Sequence, residues 1–224
     1  MGTKAEMQKQ IQDKIEQGFS CIKLKIGAID FDAELDLLKT IRQEFDAGTI
    51  ELRVDANGAF SPADALRKLE ALSKLNIHSI EQPIKAGQWQ EMAQLCANTP
   101  LPIALDEELI GINDLSQKRL LLETIRPQYI ILKPSLHGGF AGSEEWIKLA
   151  NEQHIDWWAT SALESNIGLN AIAQWCATQK NEMPQGLGTG QLYTNNFESP
   201  LSLTGENLFY DHQKVWKLNE HFQF

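Results

Sequence analysis

The 224-residue sequence predicts an α/β fold of the TIM-type (β/α) barrel class. Three observations carry that expectation. Seven amphipathic helical stripes alternate with seven short strand-like runs, helix first and strand last, as in right-handed βαβ units around a parallel sheet. Successive runs end in Lys25, Asp55, Glu81, Asp106, Lys133, Ser161 and Gly188, at intervals of 30, 26, 25, 27, 28 and 27 residues. An eight-unit barrel of ~250 residues needs about 31 per unit. Finally, the rival doubly wound sheet lacks its phosphate loop. Only Lys25-Ile26-Gly27-Ala28 is available, with neither G-x-G-x-x-G nor a P-loop.

The elements follow in order. Met7, Ile11 and Ile15 recur at helical spacing and stop at Gly18; Cys21 to Ile26 reads as a strand. Phe31, Leu35, Leu38, Ile41 and Phe45 form the next stripe, capped by Asp30, and Ile50 to Val54 the next strand. Ser61-Pro62 opens a helix whose stripe is Leu66, Leu69, Leu72 and Leu75. Further strands are expected at Ser79-Ile80, Pro102 to Leu105, Tyr129 to Leu132, Asp156 to Thr160 and Gln185 to Leu187. Helices fall near Trp89 to Cys96, Asp114 to Glu123, Ser143 to Asn151 and Ile167 to Thr178. No linker divides the chain, so 1–224 reads as a single domain: barrel to about residue 190, and residues 191–224 as a tail packing on it.

Composition excludes several functions. Apolar residues make up 42% and charged residues 22%, an ordinary globular balance. With 20 Lys+Arg against 30 Asp+Glu the net charge is -10, which repels phosphate backbones, so neither nucleic acid nor an anionic membrane is an expected partner. No apolar run approaches a membrane span. The start carries neither an apolar secretory core nor the Ser or Thr of a myristoylation signal, Glu6 standing there instead. Cys21, Cys96 and Cys176 are odd in number and far apart, and read as buried free thiols in a reducing cytoplasm.

In a closed barrel the strand ends converge on one mouth. Lys23 and Lys25 alternate with Ile22, Leu24 and Ile26, so both lysines share one face. On an edge strand they would simply be solvated. Inside a barrel they point inward, and like charges so enclosed lower each other's pKa, which prepares a lysine to act as a base. Asp55, Glu81 and Asp106 follow. Any one alone could be a helix cap, but three convergent carboxylates call for a cation. Oxygen-only ligands suit a hard divalent ion, Mg²⁺ above all. No histidine stands near the ladder with ligand spacing; His78, His137, His154, His212 and His221 are expected in core or surface roles, and the tryptophans in packing.

The ordered set K-x-K, D-A-N, E-Q-P, D-E and L-K-P resembles the enolase superfamily in its muconate-lactonising branch. The segments Arg53 to Phe60, Lys133 to Gly139 and Ser161 to Leu169 most resemble its o-succinylbenzoate synthase family. The resemblance implies an enolase C-terminal-like barrel acting on a small-molecule carboxylate by Mg²⁺-dependent dehydration. It implies Asp55, Glu81 and Asp106 as metal ligands, Lys25 as the base that takes the α-proton, Lys133 as the cation that stabilises the resulting charge, and Lys23 as a partner that holds the carboxylate and lowers the Lys25 pKa. Arg53 has two readings: a contact to a substrate carboxylate or ordered water, or a salt bridge to Glu81 or Glu51. Asn57 is expected near the metal's water shell, Glu107 against Lys133 or Lys25, and Ser161 and Gly188 at the far end of the substrate.

Two other readings stand beside this one. Racemases and epimerases of the same superfamily use both lysines as opposing bases; the D-x-D that many dipeptide epimerases carry after the last strand is Gly186-Leu187-Gly188-Thr189-Gly190 here, without an acid. The second is a non-catalytic, truncated barrel. The superfamily carries an N-terminal capping domain, and by this register the opening helix is the first barrel helix. The capping domain and first strand are then missing, and open sheet edges invite pairing with another copy. The isolated chain is accordingly expected to be poorly active.

Overall fold

The computed structural model describes residues 4–188 and 193–217. Helix α1 (Lys4–Glu16) leads into strand β1 (Cys21–Lys25), and the pattern repeats: α2 (Phe31–Glu44), β2 (Glu51–Asp55), α3 (Pro62–Ser73), β3 (Ser79–Glu81), α4 (Trp89–Asn98), β4 (Ile103–Leu105), α5 (Leu115–Ile125), β5 (Tyr129–Leu132), α6 (Gly139–Glu152), β6 (Asp156–Ala159) and α7 (Asn166–Thr178). An antiparallel pair, β7 (Leu201–Thr204) and β8 (Asn207–Tyr210), follows.

Local chemistry sets the helix starts. The Asp30 carboxylate accepts the N–H groups of Asp32 and Ala33 at the head of α2. Ser61 caps α3 ahead of Pro62, and Asp114 caps α5 through Ser116 and Gln117. Each cap satisfies donors that the first helical turn leaves unpaired. Helix α6 begins at Gly139, earlier than the expected Ser143, because Gly138 takes a left-handed turn that apolar periodicity does not register.

The six strands β1 to β6 pair in sequence order, all parallel, and form a half-barrel. Leu52, Val54, Ile80, Ile103, Leu105, Ile130 and Leu132 face outward and pack with helix residues such as Leu38, Leu69, Met92, Leu122 and Trp146 in one large core. Each such side chain, taken fully from water, contributes roughly 1.5–3 kcal/mol. A second, small cluster of Ala104, Ile131 and Trp158 fills the concave side. No described helix is long and apolar enough to cross a membrane.

Two expectations change. The strand predicted at Gln185 to Leu187 is a single parallel bridge, Thr160 to Gly186, with the Gly186 N–H on Ala159 O at 2.8 Å and the Ser161 N–H on Gly186 O at 3.1 Å. Pro184, Gly186 and Gly188 deny this run both donors and packing side chains. The β7–β8 hairpin went unforeseen. Its two-residue turn places Gly205 at φ +58, and Glu206 Oε2 accepts the Ser20 N–H at 2.9 Å, so the hairpin is fastened to the entrance of β1. Within the expected tail, residues 191–192 and 218–224, His221 included, lie outside the described residues.

Candidate active site

The ladder of polar residues is brought together at the C-terminal ends of β1 to β5. Lys25 pairs in register with Asp55, and Asp55 with Glu81, so the three side chains are level on adjacent strands. Asp106 stands two residues beyond Ala104, the register partner of Glu81, and Lys133 three beyond Ile130, the partner of Leu105. This stagger is what strand tilt in a barrel produces, and it wraps the ladder around the mouth. Gly27 allows the first two loops to close up: at φ +87, a Cβ there would sit 2.4 Å from Ala59 Cβ.

Lysines and carboxylates interleave along this arc. Lys23 Nζ lies 2.6 Å from Glu81 Oε2 and 3.2 Å from Asp55 Oδ2. Lys25 Nζ is 3.6 Å from Asp55 Oδ2 and donates to Asn57 Oδ1 at 2.7 Å. At the other end Lys133 forms an ion pair with Asp106. The three carboxylates are at most 2% exposed, whereas the Lys25 side chain is 56% exposed toward the mouth.

The electrostatics follow from that burial. Desolvation pushes the Glu81 carboxyl up to about 8, with Asp55 and Asp106 adding to the rise and Lys23 opposing it. Burial pulls Lys23 down, but Glu81 and Asp55 outweigh it, so its pKa lies above the ordinary value. The expected mutual lowering between the lysines therefore does not hold for Lys23: its neighbours are anions, not the second ammonium. Burial holds all three thiols up at about 12. Cys96 is buried as expected, while Cys21 and Cys176 are only partly covered.

A hard cation fits the donors present. Asp106 Oδ1 is buried with no hydrogen-bond partner among the described residues, and burial first, then the charges of Asp55 and Asp106, raise the Glu81 carboxyl. Among the described residues no group of three His, Cys, Asp or Glu side chains is, as it stands, placed to hold a metal ion. Lysine ammonium groups stand against the carboxylates where a cation would take over their neutralising role.

Among known proteins, residues 6–211 match the family described as Enolase C-terminal domain-like. The chain belongs to that family. It is 61% identical over 205 residues to an o-succinylbenzoate synthase of Desulfotalea psychrophila, covering 92% of this chain and 55% of that protein. The crystal structure of MenC from Desulfotalea psychrophila superposes with a TM-score of 0.88 at 59% identity, covering 93% of this chain and 57% of that one. An L-amino acid-D/L-Glu epimerase of Francisella philomiragia is 29% identical, covering 80% of this chain and 49% of that protein. The chain thus spans about half the length of the curated relatives it matches. Enzymes of the enolase superfamily depend on a metal ion.

Within this family frame the outer residues take up varied positions. Arg53 lies below the mouth: its Nε donates to Glu51 Oε1 at 2.7 Å, one terminal nitrogen donates to Pro184 O at 3.2 Å, and the guanidinium sits 4.1 Å over the Trp158 ring. Of the two readings for Arg53, the salt bridge to Glu51 is the one formed. Glu107 does not touch either lysine directly; its Oε1 accepts from Asn57 Nδ2 at 2.9 Å, and Asn57 in turn accepts from Lys25. Ser161 is buried and its Oγ accepts the Leu163 N–H at 3.2 Å, while Gly188 is exposed, with none of the described residues within 4 Å of a Cβ placed there. Thr189 and Gly190 lie outside the described residues.

Sequence reasoning missed two residues at the site. His137, assigned only a generic place, is fully buried and accepts the Lys133 N–H on Nδ1 at 3.1 Å. Gln82 is fully buried between Glu81 and Asp106. For Gln82, a polar side chain directly after a short buried strand was the available signal.

Proposed function

We propose that the chain carries the catalytic machinery of an o-succinylbenzoate synthase. The reaction is dehydration of 2-succinyl-6-hydroxy-2,4-cyclohexadiene-1-carboxylate to o-succinylbenzoate, a step of menaquinone biosynthesis. The observation that carries this reading is the arc Lys25, Asp55, Glu81, Asp106, Lys133, with a lysine at each end and three buried carboxylates between. The 61% identity to a protein of that name supports the choice of substrate.

Asp55, Glu81 and Asp106 would hold Mg²⁺, which when bound supplies Lewis-acid charge to a substrate carboxylate. Lys25, the most exposed of the three lysines, reaches into the mouth and takes the α-proton on Nζ. The C–O bond at the neighbouring ring carbon then breaks. Lys25 returns its proton to the departing hydroxide, water leaves, and the ring becomes aromatic; both transfers on one face make the elimination syn. Lys133 stays cationic and faces the negative charge that develops on the substrate. Lys23 holds the carboxylates, Asn57 and Glu107 orient Lys25, and Ser161 and Gly188 border the far end of the substrate. Arg53 supports the floor rather than the substrate. The barrel with its tail acts as one domain, and unpaired thiols suit a cytoplasmic enzyme.

A second reading keeps the same lysines. Racemisation of an N-acylamino acid needs two bases on opposite sides of one carbon, and the 29% identical epimerase supports it. Incubating the purified chain with Mg²⁺ and the cyclohexadiene substrate, and following o-succinylbenzoate by absorbance, tests the first reading. Exchange of the α-proton of N-succinyl amino acids in D₂O without dehydration replaces it with the second. Neither activity, with or without a supplied capping segment, leaves the non-catalytic barrel.

A further inference from the structure

Gln82 follows Glu81 directly, and its backbone sits at φ +39, in the left-handed region a side chain rarely adopts. It is fully buried, and its amide makes four hydrogen bonds. Nε2 donates to Ile84 O and to Glu108 Oε2, each at 3.0 Å. Oε1 accepts the N–H groups of Asp106 at 3.3 Å and Glu108 at 3.4 Å. Both donors and both acceptor sites of the amide are thus used. The main chain is equally committed: Gln82 N–H donates to Ala104 O at 2.9 Å, and Gln82 O accepts the Gly58 N–H at 2.7 Å. Glu108, also buried, turns its second oxygen to the Gly87 N–H at 2.7 Å.

We propose that Gln82 and Glu108 form a buried clasp that sets the separation of the Glu81 and Asp106 carboxylates and thereby the affinity of the site for a divalent cation. The inference rests on the cation site proposed above. Glu81 ends β3 and Asp106 directly follows β4, so two like charges stand at neighbouring strand ends and repel, and a cation binds best where its ligands are already held together. The clasp grips the two at the nearest rigid points: the peptide after Glu81 and the N–H of Asp106 itself. Neither Glu nor Met can replace Gln82, since Glu would face Glu108 with a second carboxylate and Met would leave two N–H groups unmatched. Gln82 and Glu108 are positioning residues; neither side chain is a ligand.

The test is a Mn²⁺ titration of the purified chain, followed by the loss of free-ion signal in electron paramagnetic resonance. Wild type, Gln82→Met and Glu108→Gln are compared, with thermal melting of each in EDTA. The expected result is about 10- to 100-fold weaker Mn²⁺ binding by Gln82→Met, the usual range for residues that orient metal ligands, and a smaller weakening by Glu108→Gln. A role confined to folding would lower the melting temperature in EDTA and leave the Mn²⁺ Kd unchanged. Wild type that binds Mn²⁺, together with Gln82→Met that binds it within twofold as tightly, overturns the clasp alone. If Gln82→Met does not fold, Glu108→Gln decides by the same criterion. Wild type that fails to bind Mn²⁺ overturns the cation site and the clasp with it.

Discussion

The backbone N–H of Lys133 donates to Nδ1 of His137 at 3.1 Å, so an imidazole closes the turn that presents the Lys133 ammonium. The acceptor role requires a ring unprotonated at Nδ1, and burial enforces it by holding the His137 pKa down at about 4, with Lys133 and Lys118 adding to the drop and Asp106 opposing it. Gly142 makes room for this turn: a Cβ there would lie 1.9 Å from His137 O. Replacing His137 by Phe keeps the bulk and strands the Lys133 N–H. Urea unfolding of His137→Phe is expected to show a loss of about 1–3 kcal/mol, the cost of an unmatched buried donor.

The same imidazole makes stability depend on pH. Its folded pKa of about 4 lies below the ordinary 6.5, so the unfolded chain binds the proton more readily between those values. The stabilisation is therefore complete above pH 6.5 and is lost as pH falls toward 4. Its size is on the order of 3 kcal/mol. Denaturation midpoints of wild type and His137→Phe across this window should converge as the pH falls.

Cation binding should release a proton. Glu81, raised to about 8 by burial, must ionise to act as a ligand. Mg²⁺ affinity is expected to rise from pH 5 to about 8 and level off above it. Titration calorimetry in two buffers of different ionisation enthalpy measures the release, and equal apparent enthalpies at pH 6.5 would count against it. Chelation by EDTA should abolish dehydration, and added Mg²⁺ should restore it.

The two end lysines should separate in their effects. Lys25→Ala and Lys133→Ala are each expected to lower kcat/KM by about 10²–10⁴, the usual worth of a positioned proton-transfer or charge-stabilising group. Lys133→Ala also frees Asp106 from its ion pair, so its Mg²⁺ affinity should hold or tighten while activity falls. Activity retained in both variants sinks the mechanism.

The alternation of helices and strands was legible because each element carries its own period and its own cap, as Asp30 and Ser61 show. The ladder was legible because one polar residue per strand end is a pattern in one dimension. What escaped depends on three. Gln185 to Leu187 has a strand's place in the order but not its residues, and only one bridge forms. The hairpin from Leu201 to Tyr210 hangs on a Gly-Glu turn with little signal of its own. The Lys23 shift could not be foreseen from lysine spacing, because its sign depends on which strand supplies the neighbours. His137 and Gln82 act through backbone groups, which no side-chain motif records.

The fastening of Glu206 to Ser20 bears on the order in which the molecule assembles. Register partners within the sheet are near in the chain, 30 residues apart for Lys25 and Asp55 and 26 for Asp55 and Glu81, so each strand can add to the one before it. Glu206 and Ser20 are 186 residues apart, and closing so long a loop gains little until the sheet has already drawn its ends together. The hairpin is then expected to latch late, after the sheet that it fastens has formed.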